Sequence, residues 1–399
     1  MLFSVLGARA AFPVRAPHRI SEPDTFCVSL ITCAPGPEVY QLFGHSALRV
    51  QRSGIYGFDL VYNYGVFSFS DDFVIKFTQG HTDYMLAVYD FDHFIIDYIV
   101  RGSTVYEQKL NLTQEECKEL FDALCENAAS ENRTYRYNFL FDNCATRPRD
   151  KIEEMLASHG EHIEYTDDEK LYTFRELIRH YAKNYSWLTF GIDLALGRDL
   201  DRTATWREHM FIPMLLHKAC GKATIVDSDT MSERPLVSNS RELYHSDYSP
   251  VKQPTPWFVT PMACAIYFFL FILSLTAIEM YYLSGNRWID TILGIIMCIS
   301  GLIIYFLVFA SEHPATSFNI HALWLTPFAI IPAVLPYIRK ARPVVYGYHI
   351  VNILLLILFV VLVACGVQCI DWAVLPLIGV SALRSFNFIY HYKRQSSVL

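Results

Sequence analysis

Hydrophobic residues follow two different patterns along this chain, and the change falls near residue 260. Between Thr25 and residue 110, short runs of β-branched and aromatic residues alternate with turn residues, which is typical of β-strands. Strands are predicted over 26–33, 41–50, 55–69, 84–89 and 104–110, and helices over 71–79, 114–127, 151–156 and 167–183. This mixture predicts an α+β domain.

Five apolar segments follow, and each has about the 17 to 25 residues that a helix needs to cross a bilayer. They span 262–284, 289–310, 321–338, 345–367 and 372–390, and the third contains three prolines. Arginine and lysine residues fall in the first and third loops between these segments and in the C-terminal tail. With five spans, the positive-inside rule places these two loops and the tail in the cytoplasm, and it places the N-terminal half of the chain on the outer side.

These patterns divide the chain into four predicted parts. Residues 1–24 are a possible degenerate signal segment, 25–220 a folded domain, 221–261 a polar linker, and 262–399 a membrane domain. The formal charge of −7 is distributed unevenly, because residues 262–399 hold seven basic and four acidic residues and so carry +3, which leaves −10 on residues 1–261. Nucleic acids select basic surfaces, so this acidic half argues against a nucleic-acid partner.

The ten cysteines are scattered, and none forms the paired CxxC sets of a structural zinc site. No phosphate-binding glycine loop occurs either, so neither a metal nor another cofactor is predicted. Cys27 and Cys33 are able to form a disulfide if the domain is exported, and the sequence leaves that question open.

The stretch from Asn138 to Asp150, NFLFDNCATRPRD, contains the strongest candidate for chemistry. Cys144 follows a polar pair and precedes a helical run. The positive end of a helix dipole lowers a thiol pKa and favours the thiolate, whereas most free cysteines are simply small buried hydrophobic residues.

A thiolate nucleophile needs a general base and a group that orients this base. His45, which follows Gly44 at the start of an apolar strand, is the best candidate for the base. Asn63, inside an aromatic strand, is the candidate that hydrogen-bonds the far nitrogen of His45, as in Cys-His-Asn sites. The alternatives are a structural histidine and an edge-strand asparagine beside Gly65.

The order of these residues resembles a circularly permuted papain-like (NlpC-type) fold. More closely, FGHSALRV, VYNYGVF, LNLTQEE, YNFLFDNCATRPRDKI and SEHPATSFNIHALWLTP resemble the family of the Lnb N-terminal periplasmic domain. That family includes lipoprotein N-acyltransferases, which move an acyl chain from the glycerol of a lipidated N-terminal cysteine to the amine of this cysteine. The resemblance implies that His45 is the base, Cys144 the nucleophile and Asn63 the orienting residue. The backbone amide of Cys144 is expected to help hold the oxyanion.

Four further residues are candidates for substrate binding. His313 and Asn319 lie in the outer loop between the second and third spans, where the alternative is a plain connector. Tyr64 adjoins Asn63, and Arg147 follows Cys144. A separate charged cluster, Asp193, Asp199, Asp201 and Arg202, is expected to be solvated or structural.

The sequence therefore predicts a thiol-dependent acyltransferase in a bacterial inner membrane, multi-pass, with its catalytic domain on the periplasmic side. A lipidated protein and membrane lipids are the expected partners, and the oligomeric state is left open. The alternatives are a thiol hydrolase with the same residues, either a lipase or a cell-wall amidase or peptidase, and a non-catalytic membrane assembly factor.

Overall fold

The computed structural model describes residues 24–67, 73–166, 170–247, 254–282 and 287–397. The predicted signal segment therefore lies, apart from Asp24, outside the described residues.

Ten strands form two antiparallel sheets in the described part of the chain. They are β1 (Phe26–Cys33), β2 (His45–Arg52), β3 (Phe58–Val66), β4 (Asp83–Asp90), β5 (Val105–Leu110), β6 (Thr134–Arg136), β7 (Glu161–Glu164), β8 (Thr224–Asp227), β9 (Glu233–Pro235) and β10 (Val237–Tyr244). The larger sheet has the order β10-β5-β1-β2-β3-β4-β6, and the smaller one has the order β7-β8-β9. The predicted strands near residues 26–33, 41–50, 55–69, 84–89 and 104–110 are confirmed, all within the larger sheet.

Eight α-helices accompany the sheets in the described residues of the N-terminal domain. They are α1 (Phe73–Gln79), α2 (Phe91–Val100), α3 (Gln114–Ala128), α4 (Thr146–Ser158), α5 (Phe174–Ala182), α6 (Ser186–Ala195), α7 (Trp206–His209) and α8 (Pro213–Lys222). On one face of the large sheet, α2 packs through Phe94 against Ile31 and Val61. Leu120 of α3, Ile152 of α4 and Leu216 of α8 belong to the core on the other face. The sheet therefore lies between two helical layers.

A capping box opens α3. The backbone N–H of Glu116 donates to Thr113 Oγ1 at 3.2 Å, and the carboxylate of Glu116 accepts from the N–H of Thr113 at 2.9 Å. This reciprocal pair satisfies two backbone donors that the first turn of a helix leaves without an intrahelical partner.

The segment 221–261 differs from the predicted linker. Its first half contains β8, β9 and β10, and β10 extends the large sheet by pairing with β5, with Ser240 opposite Gln108. Most residues of β10 are exposed, because it is an edge strand. An edge strand with a solvated face has the same polar composition as a loop, and composition alone therefore pointed to the wrong structure.

The possible disulfide between Cys27 and Cys33 is excluded by the geometry of β1. Both residues lie on this one strand, and both are free thiols. Six residues of extended strand separate their Cα atoms by about 20 Å, far beyond the span of a disulfide.

The membrane domain contains five more helices among its described residues, namely α9 (Pro261–Tyr282), α10 (Arg287–Phe309), α11 (Ile330–Val334), α12 (Arg342–Ala364) and α13 (Val374–Ser397). Four segments are long and apolar enough to cross a bilayer: Pro261–Tyr282, Arg287–Phe309, Ile320–Tyr337 and Arg339–Ala364. The third is a series of short helical pieces that includes α11, which agrees with its three prolines. The fifth predicted span coincides with most of α13, and its crossing of the bilayer stays a prediction.

The outer loop after α10 joins the two domains. The backbone N–H of Glu312 donates to the carbonyl of Gln79 at 2.9 Å, and Ser311 Oγ donates to the carbonyl of Thr78 at 2.8 Å. Further along, the N–H of Gly197 donates to the carbonyl of Ala315 at 2.8 Å. The loop is therefore more than a plain connector, because it fixes the N-terminal domain on the outer end of the membrane helices.

Candidate active site

Cys144 lies two residues before α4, in a turn that Asn143 organises. The buried side chain of Asn143 accepts the backbone N–H groups of Ala145 at 2.8 Å and Thr146 at 3.0 Å. Its amide nitrogen donates to the carbonyls of Phe139 and Phe211. Asn143 thus has the role of a helix cap, and it holds Cys144 at the positive end of α4.

His45 is the first residue of β2, directly opposite Cys33 of β1. Gly44 before it has a φ of +79°, and a Cβ at this position would lie 2.6 Å from the carbonyl oxygen of Cys33. Only glycine fits both the positive φ and the close approach. This glycine therefore sets the point at which the chain enters β2 with His45 partly buried.

Asn63 of β3 is bonded to His45. The distance between Nε2 of His45 and Oδ1 of Asn63 is 2.5 Å. An amide oxygen only accepts hydrogen bonds, so Nε2 carries a proton and Nδ1 is the ring nitrogen left to accept the proton of a thiol. Cys144 and His45 are close enough that the charge and hydrogen bonding of each shift the pKa of the other.

Gly65 makes room for Cys144 next to β3. The pairing of β3 with β4 shifts register between Asn63 and Val66, and Gly65 in this irregularity has a φ of +88°. A Cβ built on Gly65 would lie 3.4 Å from the Cβ of Cys144. The bulge thus lets the turn before α4 approach the strand that carries Asn63.

The electrostatics of the pair favour charge separation. Burial by itself raises the pKa of the Cys144 thiol, but the positive charge and the hydrogen bond of His45 outweigh it, so the pKa lies below its ordinary value. For His45, burial opposes protonation, yet the negative charge and hydrogen bond of Cys144, together with Asn63, raise the pKa of the imidazole. Each partner therefore stabilises the ionised form of the other, and a lowered thiol pKa is the condition that a nucleophilic cysteine requires.

Hydrogen bonding from the backbone N–H groups of Ser46 and of Cys144 itself also contributes to the lowered pKa of the Cys144 thiol. Such donors also suit the oxygen of a tetrahedral intermediate formed on this sulfur. The amide of Cys144 was expected from the sequence. The amide of Ser46 was not, because its position depends on how β2 meets the turn before α4.

The other side of His45 is covered by α2, which the sequence did not predict. The ring of Tyr98 is stacked on His45, with 6.2 Å between centroids and 18° between planes. A cavity of about 70 Å³ lies beside His45, and its lining includes Tyr98, Arg101 and Gly44. The apolar residues of α2 at positions 91, 94, 95, 98 and 99 recur at helical spacing, so the sequence held a signal for this helix, but nothing in it indicated that Tyr98 or Arg101 lies at the site.

Cys33 is buried beside this pair, on the strand next to His45. Burial raises the pKa of the Cys33 thiol well above its ordinary value, although a hydrogen bond with Tyr98 opposes this effect. Cys33 therefore stays a neutral thiol where Cys144 is activated, and the two neighbouring cysteines differ in reactivity.

The structure brings together Cys144, His45 and Asn63, but it places Tyr64 elsewhere. Tyr64 is fully buried on the opposite face of β3 from Asn63, and its hydroxyl donates to Asn127 Oδ1 at 2.7 Å. Arg147 forms an ion pair with Asp142 at 2.5 Å, and its guanidinium carbon lies 3.8 Å from the ring centroid of Tyr135. The roles of Tyr64 and Arg147 in substrate binding stay predictions.

His313 and Asn319 lie in the outer loop of the membrane domain. Asn319 is buried, and its amide nitrogen donates to the carbonyls of Leu194 at 2.7 Å and Ala195 at 3.2 Å. These bonds tie the loop to the end of α6. The substrate contacts predicted for both residues stay predictions.

The charged cluster predicted to be solvated or structural is largely structural. Arg175, which the sequence did not single out, is buried and bonds Asp193 at 3.0 Å and Asp201 at 2.7 Å. Arg202 instead pairs with Glu208 at an exposed site. In the described parts of the chain, no group of three or more His, Cys, Asp or Glu side chains has an arrangement that would hold a metal ion.

Comparison with known proteins agrees with this architecture. The family model described as the Lnb N-terminal periplasmic domain matches residues 15–180, and that described as the Lnb transmembrane domain matches residues 253–395. No curated protein and no solved structure matched the chain.

Proposed function

We propose, from the premise that this chain belongs to the Lnb N-terminal periplasmic domain and Lnb transmembrane domain families, that it is a thiol acyltransferase acting on lipidated proteins. The chain is a multi-pass membrane protein with a periplasmic N-terminal domain. The observation that carries the proposal is the meeting of Cys144, whose pKa is lowered by His45, with a histidine that is hydrogen-bonded to Asn63. The acyl chain moves from a glycerol ester of a lipoprotein to the amine of its N-terminal cysteine.

The first half of the reaction forms a thioester. His45 takes the thiol proton, and the Cys144 sulfur attacks the ester carbonyl, so that a C–S bond forms and an oxyanion develops. The N–H groups of Ser46 and Cys144, which help to lower the pKa of the thiol, stabilise that oxyanion in the proposed mechanism. The C–O bond then breaks, and the glycerol oxygen leaves with the proton from the His45 imidazolium.

The second half transfers the acyl group to nitrogen. The neutral amine attacks the thioester carbonyl while His45 accepts a proton from it. The C–S bond breaks, the amide is released, and Cys144 returns as the thiolate paired with the imidazolium. Because Asn63 holds Nε2–H, the same ring nitrogen, Nδ1, serves both halves.

The fold that we propose for this domain is the circularly permuted papain-like (NlpC-like) one. The chain order supports it, since the base lies on β2, the orienting amide on β3, and the nucleophile before α4. We place the catalytic domain at residues 25–220, with β8 to β10 of the following segment added to its sheets. The membrane that it faces is the bacterial inner membrane.

The direct test uses the full-length protein in lipid vesicles with a synthetic diacylated lipopeptide and tandem mass spectrometry. Transfer leaves the mass of the lipopeptide unchanged but converts one ester-linked chain into an alkali-resistant amide. A hydrolase would release a free fatty acid and lower the mass by one chain, and an assembly factor would leave the lipopeptide as it was. Either of the last two results contradicts the proposal.

A further inference from the structure

An apolar cavity of about 380 Å³ lies among the membrane helices, below α6. Its walls come from α9, α10 and α13 and from the interrupted third span. Ser300 is the one polar side chain among the described residues that line it, and none of them is charged. Water gains little in such a cavity, because a buried water needs two to four polar partners.

The helix α6 belongs to the N-terminal domain and forms the roof of this cavity through Phe190, Gly191 and Leu194. The other face of α6, with Ile192 and Leu196, packs against a second hydrophobic cluster. Two aromatic residues next to the site pack on the same cluster: Phe43, two positions before His45, and Phe139, five positions before Cys144. The roof of the cavity thus adjoins the segments that carry the catalytic pair.

The depth of the cavity matches one leaflet of a bilayer. Along α10 its lining extends from Leu307 to Leu293, and the rise of the helix between these two residues is about 21 Å. Half of the ~30 Å hydrocarbon core of a bilayer is about 15 Å, so an extended acyl chain of one leaflet fits the available length.

The lower end of the cavity is closed by polar groups. Leu293, Met297 and Val380 line it and also line a small second cavity that contains Asp290 and Arg384. Arg384 bonds Asp290 at 2.7 Å and Glu279 at 2.7 Å. Placing hydrocarbon next to buried charges is not favourable, so the space available to an acyl chain ends at Asp290 and Arg384.

We propose that this cavity holds one acyl chain of the diacylated lipoprotein while the ester of its other chain is presented to Cys144. This inference rests on the proposed function and names the subsite for the part of the substrate that does not react. A lipoprotein fits better than a phospholipid, because the lining offers no cation for a phosphate, whereas the diacylglyceryl group is uncharged.

Gly191 provides a sharp test. A Cβ at this position meets no atom within 4 Å, so Gly191→Leu is expected to add bulk at the roof of the cavity without a clash at its Cβ. Gly347 of α12 has the same open surroundings but is not among the residues that line the cavity, so Gly347→Leu is the matched control. Ser300→Leu fills the cavity from α10, and it is the second test variant if Gly191→Leu does not fold.

The probe is a diacylated lipopeptide with a diazirine in one acyl chain, added to the full-length Cys144→Ala protein in nanodiscs. We expect photo-crosslinks on α6 and α10, and a yield roughly tenfold lower in the Gly191→Leu and Ser300→Leu variants, because several buried CH₂ groups lose their site. Gly347→Leu should match the parent protein.

Three results would overturn the inference: crosslinks confined to other helices, an equal yield in both plugged variants, or an equal yield from a diazirine phosphatidylglycerol. Acyl transfer by the unmodified protein is measured separately with the same lipopeptide. If transfer occurs but the crosslinks lie elsewhere, the subsite is wrong and the proposed function stands. If the crosslinks fall in the cavity but no transfer occurs, the proposed function is wrong.

Discussion

His45 Nε2 and Asn63 Oδ1 lie 2.5 Å apart, so this amide selects the tautomer of the imidazole that faces Cys144. The bond crosses from β2 to β3 next to the register shift at Gly65. A histidine whose far nitrogen is held in this way needs no rotation before it takes a proton. We therefore expect Asn63 to be a positioning residue that acts through His45.

Replacing Asn63 tests this role. Asn63→Leu removes the acceptor and should lower kcat by about tenfold to a hundredfold with little change in KM, since general acid–base catalysis contributes about 10²–10⁴ in all. Asn63→Asp keeps an acceptor oxygen at the same place and should retain most of the activity. Equal loss in both variants, measured as initial rates of lipopeptide N-acylation, would show a merely structural role.

Loss of either member of the catalytic pair should remove acyl transfer. Cys144→Ala leaves no nucleophile, and His45→Ala leaves a buried thiol without its base, which corresponds to a loss of about 10²-fold or more. The controls are Cys125→Ala, an exposed cysteine of the same domain, and His93→Ala, an exposed histidine. Tandem mass spectrometry of the lipopeptide should show normal transfer in both controls, and substantial transfer by Cys144→Ala would sink the mechanism.

The lowered pKa of Cys144 predicts a distinct pH dependence of its alkylation. The thiolate is the reacting species, so the rate with iodoacetamide should rise at a pH below the ~8.5 of an ordinary cysteine. In His45→Ala, burial remains but the imidazolium is gone, so the pKa of Cys144 rises and the profile moves to higher pH. A profile that is identical in both proteins would contradict the ion pair.

The pKa of His45 should set the alkaline limit of acyl transfer. The imidazolium must give its proton to the leaving glycerol oxygen, so the rate falls as pH rises through the raised pKa of His45. The bond from Asn63 contributes to this raised pKa, and Asn63→Leu should therefore move the alkaline limb to lower pH. An alkaline limb that does not move in kcat/KM profiles would count against the assignment of His45.

The order of the strands and the three residues Cys144, His45 and Asn63 that meet at the candidate site could be predicted from the sequence, because both depend on local patterns. Runs of alternating residues marked β1 to β5, and Cys144, His45 and Asn63 each stood in a distinctive local context. Tyr98 and the amide of Ser46 could not be found in this way. They reach the site only through the packing of α2 on the sheet and through the turn before α4, which are tertiary contacts.

Dependence on tertiary contacts also explains why the pairing of the charged residues could not be predicted from the sequence. Asp193 and Asp201 stand in a polar stretch that looks solvated, yet both are held by Arg175, which comes from a different helix. A buried ion pair of this kind depends on a partner that is 18 or 26 residues away. The sequence contains the three charges but gives no sign that they meet.

Removing Arg175 should destabilise the N-terminal domain. Its side chain is 1% exposed, and Arg175→Ala leaves Asp201 and part of the charge of Asp193 without a partner, at a cost of about 3–5 kcal/mol. Arg202→Ala breaks an exposed pair with Glu208 and should cost no more than about 1 kcal/mol. Thermal unfolding of both variants checks this, and equal stability would show that the Arg175 network contributes little.

The helix α13 holds the buried ion pairs of Arg384 with Glu279 of α9 and Asp290 of α10. Arg384 reduces the hydropathy of α13, but its two partners lie inside the helix bundle. A paired arginine can reside within a membrane. A fifth crossing puts the C-terminus in the cytoplasm, together with Arg287 and Arg339. Green fluorescent protein fused after Leu399 should therefore fluoresce, and alkaline phosphatase at the same place should be inactive. Fusions made after Gly366, in the preceding outer turn, should give the opposite result. Active phosphatase at the C-terminus would mean that α13 does not cross the bilayer.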